Sequence, residues 1–261
     1  MNRTGLIVAL VIAAVTGLAF GIYPDLDLRI ARYFYDVIDG NRNTFAWRLY
    51  PPLMLLRDAG LWLVALLFAP ALLALVMKLV LPRRKLLIPG RAVVFLIATM
   101  ILGPGLTVNV VLKDYWGRSR PIDVTQFGGL EHFVPWWDPR GDCPSNCSFV
   151  SGDVSGAFWT IAPAVVAPPQ WRALAVGAAL TLGAAMAAMR VFAGGHFISD
   201  AVFAGVFTFL IIWLVHGLIY RWPRTRLTDA AVERALERLA MPGYNALASL
   251  FGRKRGAGGK T

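Results

Sequence analysis

The chain has 261 residues, 57% of them hydrophobic, with 26 Lys and Arg against 15 Asp and Glu. Its mean hydropathy of +0.59 sets it apart from ordinary water-soluble domains, where apolar residues make up about 45–50%. A pI near 10.3 can mark a nucleic-acid binder, but sixteen of the basic residues fall on alternate connections between apolar runs, as the positive-inside rule requires of a multi-pass membrane protein, so no nucleic-acid partner is expected.

Six apolar runs approach the roughly 20 residues a helix needs to cross about 30 Å of hydrocarbon: 6–23, 61–81, 92–112, 150–167, 173–189 and 201–220. They predict an all-α fold, a polytopic six-helix bundle spanning 1–220 with its core at 60–220. The first run lacks the small-residue cleavage site of a secretory signal and reads as an uncleaved span. Between the first two, "LDLRIARYFYDVI" sets Leu26, Ile30, Phe34 and Ile38 four apart, predicting an amphipathic helix at the membrane interface. The connection "PRRKLLIPGR" carries Arg83, Arg84, Lys85 and Arg91, with Lys78 just before it, and these basic residues are expected in the cytoplasm, along with both termini.

The segment 113–149 is long for a connection and carries Trp116, Trp136 and Trp137 among four prolines; its aromatics suggest contact with the bilayer surface or a lipid. Cys143 and Cys147 fall on the outer side, where an oxidising exterior permits a disulfide that would clip a local turn; two free thiols are the alternative. Only His132 lies nearby as a further soft ligand, so no metal site is expected. The fourth and fifth runs are short and rich in Ala and Gly, with Gly152 and Gly156 spaced for close helix packing. After Tyr220, residues 221–261 read as a cytoplasmic tail: "LTDAAVERALERLA" aligns Leu227, Ala231, Ala235 and Leu239 on one face of an amphipathic helix, and "GRKRGAGGKT" reads as disordered.

Polar residues gather where helices three and five end and four and six begin, which is one side of the membrane. "KDYWGRSRP" and "RVFAGGHFISD" supply Lys113, Arg120 and Arg190, three cations with few acids to pair them, and Arg matches phosphate oxygens with forked donors. Ser151 and Gly152 begin a helix, where free N–H groups favour phosphate. His196 has Asp200 four residues later, in reach to fix its tautomer. A carboxylate-held His beside a phosphate cradle fits nucleophilic attack on phosphorus, with the cations balancing the equatorial oxygens. Asp153 is a charge at a membrane entry, a functional-site hypothesis whose bland alternative is a helix cap. Arg118 has no role here beyond extending the phosphate site.

The spacing Lys113-x6-Arg120-Pro121, Ser151-Gly152 and Arg190-x5-His196-x3-Asp200 resembles the type 2 phosphatidic acid phosphatase (PAP2) superfamily, whose pattern is K-x6-R-P, P-S-G-H and S-R-x5-H-x3-D. The resemblance implies six transmembrane helices and phosphatase chemistry without metal or cofactor. His196 would be the nucleophile, forming a phosphohistidine with Asp200 behind it. Lys113, Arg120, Arg190, Ser151 and the Gly152 amide would hold the phosphate. The chain departs from the pattern at Val150 for Pro, Asp153 for His and Met189 for Ser. The family's middle His donates a proton to the leaving alkoxide, so Asp153 occupies the general-acid position. Three resolutions stand open: a buried, protonated Asp153; His132 swinging in as the acid; or a leaving group that needs little help, such as a diphosphate.

"CSFVSG" followed by an acid, with the Trp-containing loop, further resembles bacterial lipid A phosphatases of the 4'-phosphatase branch. That implies an inner-membrane enzyme acting on a lipid A phosphate monoester at the periplasmic face, with undecaprenyl diphosphate and phosphatidylglycerol phosphate as alternative substrates. The missing middle His motivates a reading from another class, an inactive lipid-phosphate binder or transporter. A vanadate-loaded haloperoxidase shares the pattern but suits a soluble protein. The oligomeric state is not legible.

Overall fold

A computed structural model of the chain describes residues 3–38 and 42–256. Five helices are long and apolar enough to cross a membrane: α1 (Arg3–Ile22), α3 (Pro51–Val80), α4 (Gly90–Tyr115), α7 (Pro169–Phe192) and α8 (Ile198–Arg221). Each encloses all or nearly all of an expected apolar run. The sixth, between α4 and α7, is split into α5 (Gly152–Trp159) and α6 (Ile161–Val166). The break falls at Thr160, whose hydroxyl donates to the Ala157 carbonyl at 2.7 Å. At about 1.5 Å per residue the pair rises only roughly 22 Å. The predicted six-helix architecture is present, with the fourth helix short and broken.

The segment after α1 departs from the helical expectation. The helix α2 covers only Asp25–Arg32. The chain then forms a hairpin, β1 (Tyr35–Ile38) antiparallel to β2 (Arg42–Phe45), with Tyr35 opposite Phe45. The fourfold apolar spacing therefore ends before Ile38. Tyr35, Val37 and Ile38 are residue types that favour extended backbone.

The chain divides into two compact units: Met1–Leu67 with Ala98–Val215, and Phe68–Ile97 with His216–Thr261. In the first, α2, the hairpin and the 113–149 segment enclose a small core of Ala31, Phe45, Val124, Phe127 and Phe197. Trp136 is not a surface anchor. Its ring packs 4.6 Å from that of Phe203, its indole N–H donates to the Gly17 carbonyl at 3.3 Å, and its own carbonyl accepts from Trp116 at 2.7 Å; Trp137 is exposed. The close helix packing expected of Gly152 and Gly156 is met at Gly152 but not at Gly156. A Cβ on Gly156 would meet nothing within 4 Å, whereas a Cβ on Gly183 of α7 or Gly205 of α8 would approach the Phe158 ring to 2.6 and 2.8 Å. Phe158 of α5 is thus seated between two bare helix faces.

In the second unit, the tail helix α9 spans Asp229–Gly256, longer than the amphipathic stretch and reaching into the segment read as disordered, of which 257–261 lie outside the described residues. Thr228 caps it, its hydroxyl accepting from Ala231 N at 3.2 Å. Asp229 accepts from the Arg91 backbone N–H at 2.9 Å. The buried Lys78 ammonium donates to the Arg84 carbonyl at 2.9 Å and to Glu233 at 3.4 Å. The basic connection between α3 and α4 is therefore tied to the tail by charge.

Gly183→Ala forces the Phe158 ring to move. Overpacking of this kind costs about 1–3 kcal/mol, so the variant is expected to melt at lower temperature in detergent. Gly177→Ala on the same helix, where a Cβ meets nothing within 4 Å, leaves the melting temperature unchanged or slightly raised.

Candidate active site

The site begins with a buried charge. At the end of α4 the chain turns through Gly117, at φ +69°, where a Cβ would approach the Pro139 carbonyl oxygen to 2.9 Å. The next residue, Arg118, points inward and is 0% exposed. Its Nη2 donates to Asp27 of α2 at 2.8 Å. Its Nη1 donates to Ser199 Oγ at 2.9 Å and to Asp200. Its Nε donates to the Val134 carbonyl at 3.0 Å, and the guanidinium lies 4.6 Å from the Phe197 ring centroid. Asp27 also accepts from the Ser199 backbone N–H at 3.1 Å and hydroxyl at 2.6 Å. Burial alone would lower the Arg118 pKa; Asp200 and Asp27 outweigh it and hold the guanidinium charged.

His196 sits on the turn between α7 and α8. Gly194, at φ +64°, makes that turn, and a Cβ there would collide with the Phe45 ring. The imidazole is 2% exposed. Its Nδ1 lies 2.7 Å from the Ser148 carbonyl oxygen. A carbonyl only accepts, so Nδ1 carries the proton and Nε2 the lone pair. Asp200 reaches His196 only through Ser148, not by the direct contact its spacing suggested: its Oδ2 accepts from Ser148 Oγ at 2.5 Å and from Phe197 N at 3.0 Å, while Arg118 takes Oδ1. Burial, followed by the charges of Arg190, Arg120 and Lys113, pushes the His196 pKa well below its ordinary value; the Ser148 carbonyl opposes them only weakly.

Two phosphate-site candidates are held by one loop. Cys143 and Cys147 are joined by a disulfide, and between them Asn146 adopts φ +51°. Lys113 Nζ donates to Asn146 Oδ1 at 3.1 Å and Arg120 Nη2 donates to the Asn146 carbonyl at 2.7 Å. The backbone N–H of Cys147 and of Cys143 donate to the Lys113 and Gly117 carbonyls at 2.9 and 3.1 Å, pinning the loop to the end of α4. Gly152 opens α5 behind Ser151, and its missing side chain has a cause: a Cβ would stand 2.7 Å from Asn109 Oδ1 and 3.1 Å from Lys113 Nζ. Asn109 lies in the π-wound part of α4, Ile101–Leu112, and its amide donates to the Pro104 carbonyl at 2.7 Å.

Asp153 is bound by two guanidinium groups. Arg57 of α3 donates from Nε to its Oδ2 at 2.7 Å, and Arg190 Nε lies 3.3 Å from the same oxygen. The Arg190 contact is ionic: that buried N–H has no hydrogen-bond geometry to a partner among the described residues. The charges of Arg57, Arg120 and Arg48 also bear on Arg190. This cation excess around one carboxylate suits a ligand carrying more than one negative charge. His132 stays outside the cluster, with its side chain 80% exposed and 2.7 Å from Asp142.

Lys113, Arg120, Ser151, Gly152, Asp153, Arg190, His196 and Asp200 all fall within the first unit, linked by these contacts. Sequence reasoning missed Asp27, Arg57, Asn146, Ser148 and Ser199, and the buried role of Arg118. An Arg at the head of an apolar helix, and an Asp inside an apolar-faced one, were the signals for Arg57 and Asp27.

The pattern described as the PAP2 superfamily matches residues 92–225. Across 232 residues the chain is 35% identical to a lipid A 4'-phosphatase of Francisella tularensis subsp. novicida (strain U112), covering 85% of this chain and 98% of that protein. It is 41% identical over 106 residues to a lipid A 4'-phosphatase of Rhizobium leguminosarum, covering 41% of this chain and 46% of that one. A lipid A 4'-phosphatase of Rhizobium etli is 39% identical over 104 residues, 40% of either chain. No solved structure matches significantly. On helical architecture, motif residues and these matches, the chain belongs to the PAP2 superfamily.

Proposed function

We propose that the chain is a lipid phosphatase of the bacterial inner membrane that hydrolyses a phosphate monoester of lipid A, or of a related lipid, at the periplasmic face. Residues 1–220 are the catalytic membrane domain and 221–261 a cytoplasmic tail, an orientation supported by the basic connections. The observation that carries the activity is a neutral, buried His196 with Nδ1 committed to Ser148 and three cations, Lys113, Arg120 and Arg190, bearing on it. The names of the relatives support lipid A as substrate.

In this reading the phosphoryl group is held by Lys113, Arg120, Arg190 and the start of α5 at Ser151 and Gly152. The His196 Nε2 lone pair attacks phosphorus in line. The P–O ester bond breaks, its electron pair leaves with the lipid oxygen, and that oxygen takes a proton from water. The hydroxide left by that water attacks phosphorus, the N–P bond breaks with its electron pair returning to Nε2, and hydrogen phosphate leaves with the imidazole restored. Asp200 acts through Ser148 to hold the ring, and Arg118 with Asp27 holds Asp200. No step calls for a metal or cofactor. Asp153, ion-paired to Arg57 and Arg190, is read as an anionic anchor and not as the general acid. Its departure from the family's His is also what favours the second reading, an inactive lipid-phosphate binder.

Purified protein is expected to release phosphate from lipid A in preference to undecaprenyl diphosphate and phosphatidylglycerol phosphate, with mass spectrometry locating the lost group. His196→Ala should lower kcat by roughly 10³-fold or more. Saturable lipid binding without turnover, indifferent to His196→Ala, would instead establish the binder.

The His196 imidazole is neutral in the fold and charges freely in the unfolded chain. Its stabilising contribution is therefore present above the unfolded value of about 6.5 and lost as pH falls toward the lower folded value. The melting temperature of the wild type should drop more between pH 7 and pH 5 than that of His196→Gln.

Cutting the Cys143–Cys147 link frees Asn146 from Lys113 and Arg120. Reduction, or Cys143→Ser with Cys147→Ser, is expected to raise KM several-fold while changing kcat less. Asn146→Ala should reproduce that split under oxidising conditions.

A further inference from the structure

We propose that Arg57, which belongs to none of the three sequence motifs, is a fourth phosphate-binding cation, and that Asp153 is its positioning residue. This rests on the phosphate site proposed above. The carboxylate standing where the superfamily pattern has a histidine clamps a guanidinium from a neighbouring helix onto the site.

The geometry gives Asp153 little to donate and much to hold. One oxygen, Oδ2, accepts from Arg57 Nε at 2.7 Å and faces Arg190 Nε at 3.3 Å. Two guanidinium groups from α3 and α7 therefore meet on a single atom at the start of α5. A carboxylate oxygen that accepts from one guanidinium and faces a second is already engaged in holding cations. Arg57 is half-buried, with its side chain 30% exposed. Among the described residues its hydrogen bonds use Nε, to Asp153, and Nη1, to the adjacent exposed Asp58 at 3.3 Å. The guanidinium carries five donors in a fixed fork, so fixing Nε on Asp153 aims the remaining edge in one direction.

The charges agree with that placement. Arg57 is among the groups whose field bears on both Lys113 and Arg190, two of the three cations assigned to the phosphate. Bringing a further cation into a cluster already short of acids costs repulsion, and an ion pair at a partly buried site contributes little net stability of its own. A dianionic ligand reverses that balance. An Arg–Asp pair here serves a phosphomonoester better than it serves the fold. The ligand chemistry is a phosphomonoester dianion, whether carried by a lipid or free as orthophosphate.

The test uses the full chain in detergent micelles. Orthophosphate binding by calorimetry is measured beside hydrolysis of the lipid substrate and of an aryl phosphate with a good leaving group, for wild type, Arg57→Gln, Arg57→Lys, Asp153→Asn and Arg57→Gln/Asp153→Asn. Melting temperatures identify variants that fail to fold, in which case Arg57→Lys, which keeps the charge and loses the fork, carries the comparison. Arg57→Gln and Asp153→Asn should each weaken orthophosphate binding and raise KM about tenfold, with Arg57→Lys between them and wild type. The double variant should be little worse than Arg57→Gln, because Asp153 acts largely through Arg57. The Asp153→Asn defect should persist on the aryl phosphate.

Wild-type affinity for orthophosphate in Arg57→Gln overturns the inference, as does an Arg57→Gln defect confined to the lipid, which would make Arg57 a reader of some other lipid group. An Asp153→Asn defect that vanishes on the aryl phosphate makes Asp153 the acid and overturns it too. A wild type that binds orthophosphate through Arg57 but hydrolyses nothing sinks the phosphatase reading while this inference stands. A wild type that binds no orthophosphate sinks the inference directly.

Discussion

Arg118 is a cation with no access to water, held between Asp27 and Asp200. Removing the shared guanidinium would leave two buried carboxylates with no counter-ion, and breaking a buried pair in this way costs about 3–5 kcal/mol. The rest of the site inherits its geometry from this point. Asp200 is held by Arg118, Ser148 is bonded to Asp200 by its hydroxyl and to the Arg118 carbonyl by its N–H, and the Ser148 carbonyl fixes the tautomer of His196. Ser199, at the head of α8, closes the ring by binding Asp27 through both its N–H and its hydroxyl. The position of the imidazole is decided three residues away from it.

Around this rigid centre the cations are held more lightly. Lys113 and Arg120 rest on Asn146, in a loop whose shape is set by a disulfide and a positive φ. Arg190 and Arg57 rest on Asp153. The division suits the proposed phosphoryl transfer, in which the imidazole must be oriented before anything binds while the groups that meet an incoming anion exchange one set of oxygens for another. The disulfide is local and Asn146 is exposed, so this half of the site depends on covalent chemistry where the other half depends on burial.

Much of this was legible in residue types and spacing. Apolar runs located the spans, all but the start of α3 to within a few residues, because hydrophobicity over about 20 residues is a strong signal. Fixed spacings named His196, Asp200 and the three cations. What was hidden shares one property, dependence on contacts between residues distant in the chain. Asp27 lies 91 residues from Arg118 and Arg57 lies 96 from Asp153, and no local pattern announces such pairs. The hairpin after α2 was hidden for a local reason: four apolar positions spaced four apart read as one helix, although α2 ends at Arg32. Asp153 was legible as an anomaly but not as an anchor, because its meaning depends on which cations reach it.

The superfamily pattern covers residues 92–225, and every motif residue falls inside that window. Asp27 and Arg57 do not. A chain cut to the matched window would keep the signature complete while leaving Arg118 with one carboxylate in place of two and Asp153 with one guanidinium in place of two. The recognisable segment and the working unit are therefore different lengths of chain. A catalogue built on the signature alone would count as equivalent any proteins that share these motifs but differ before residue 92, where half of each charge pair is kept.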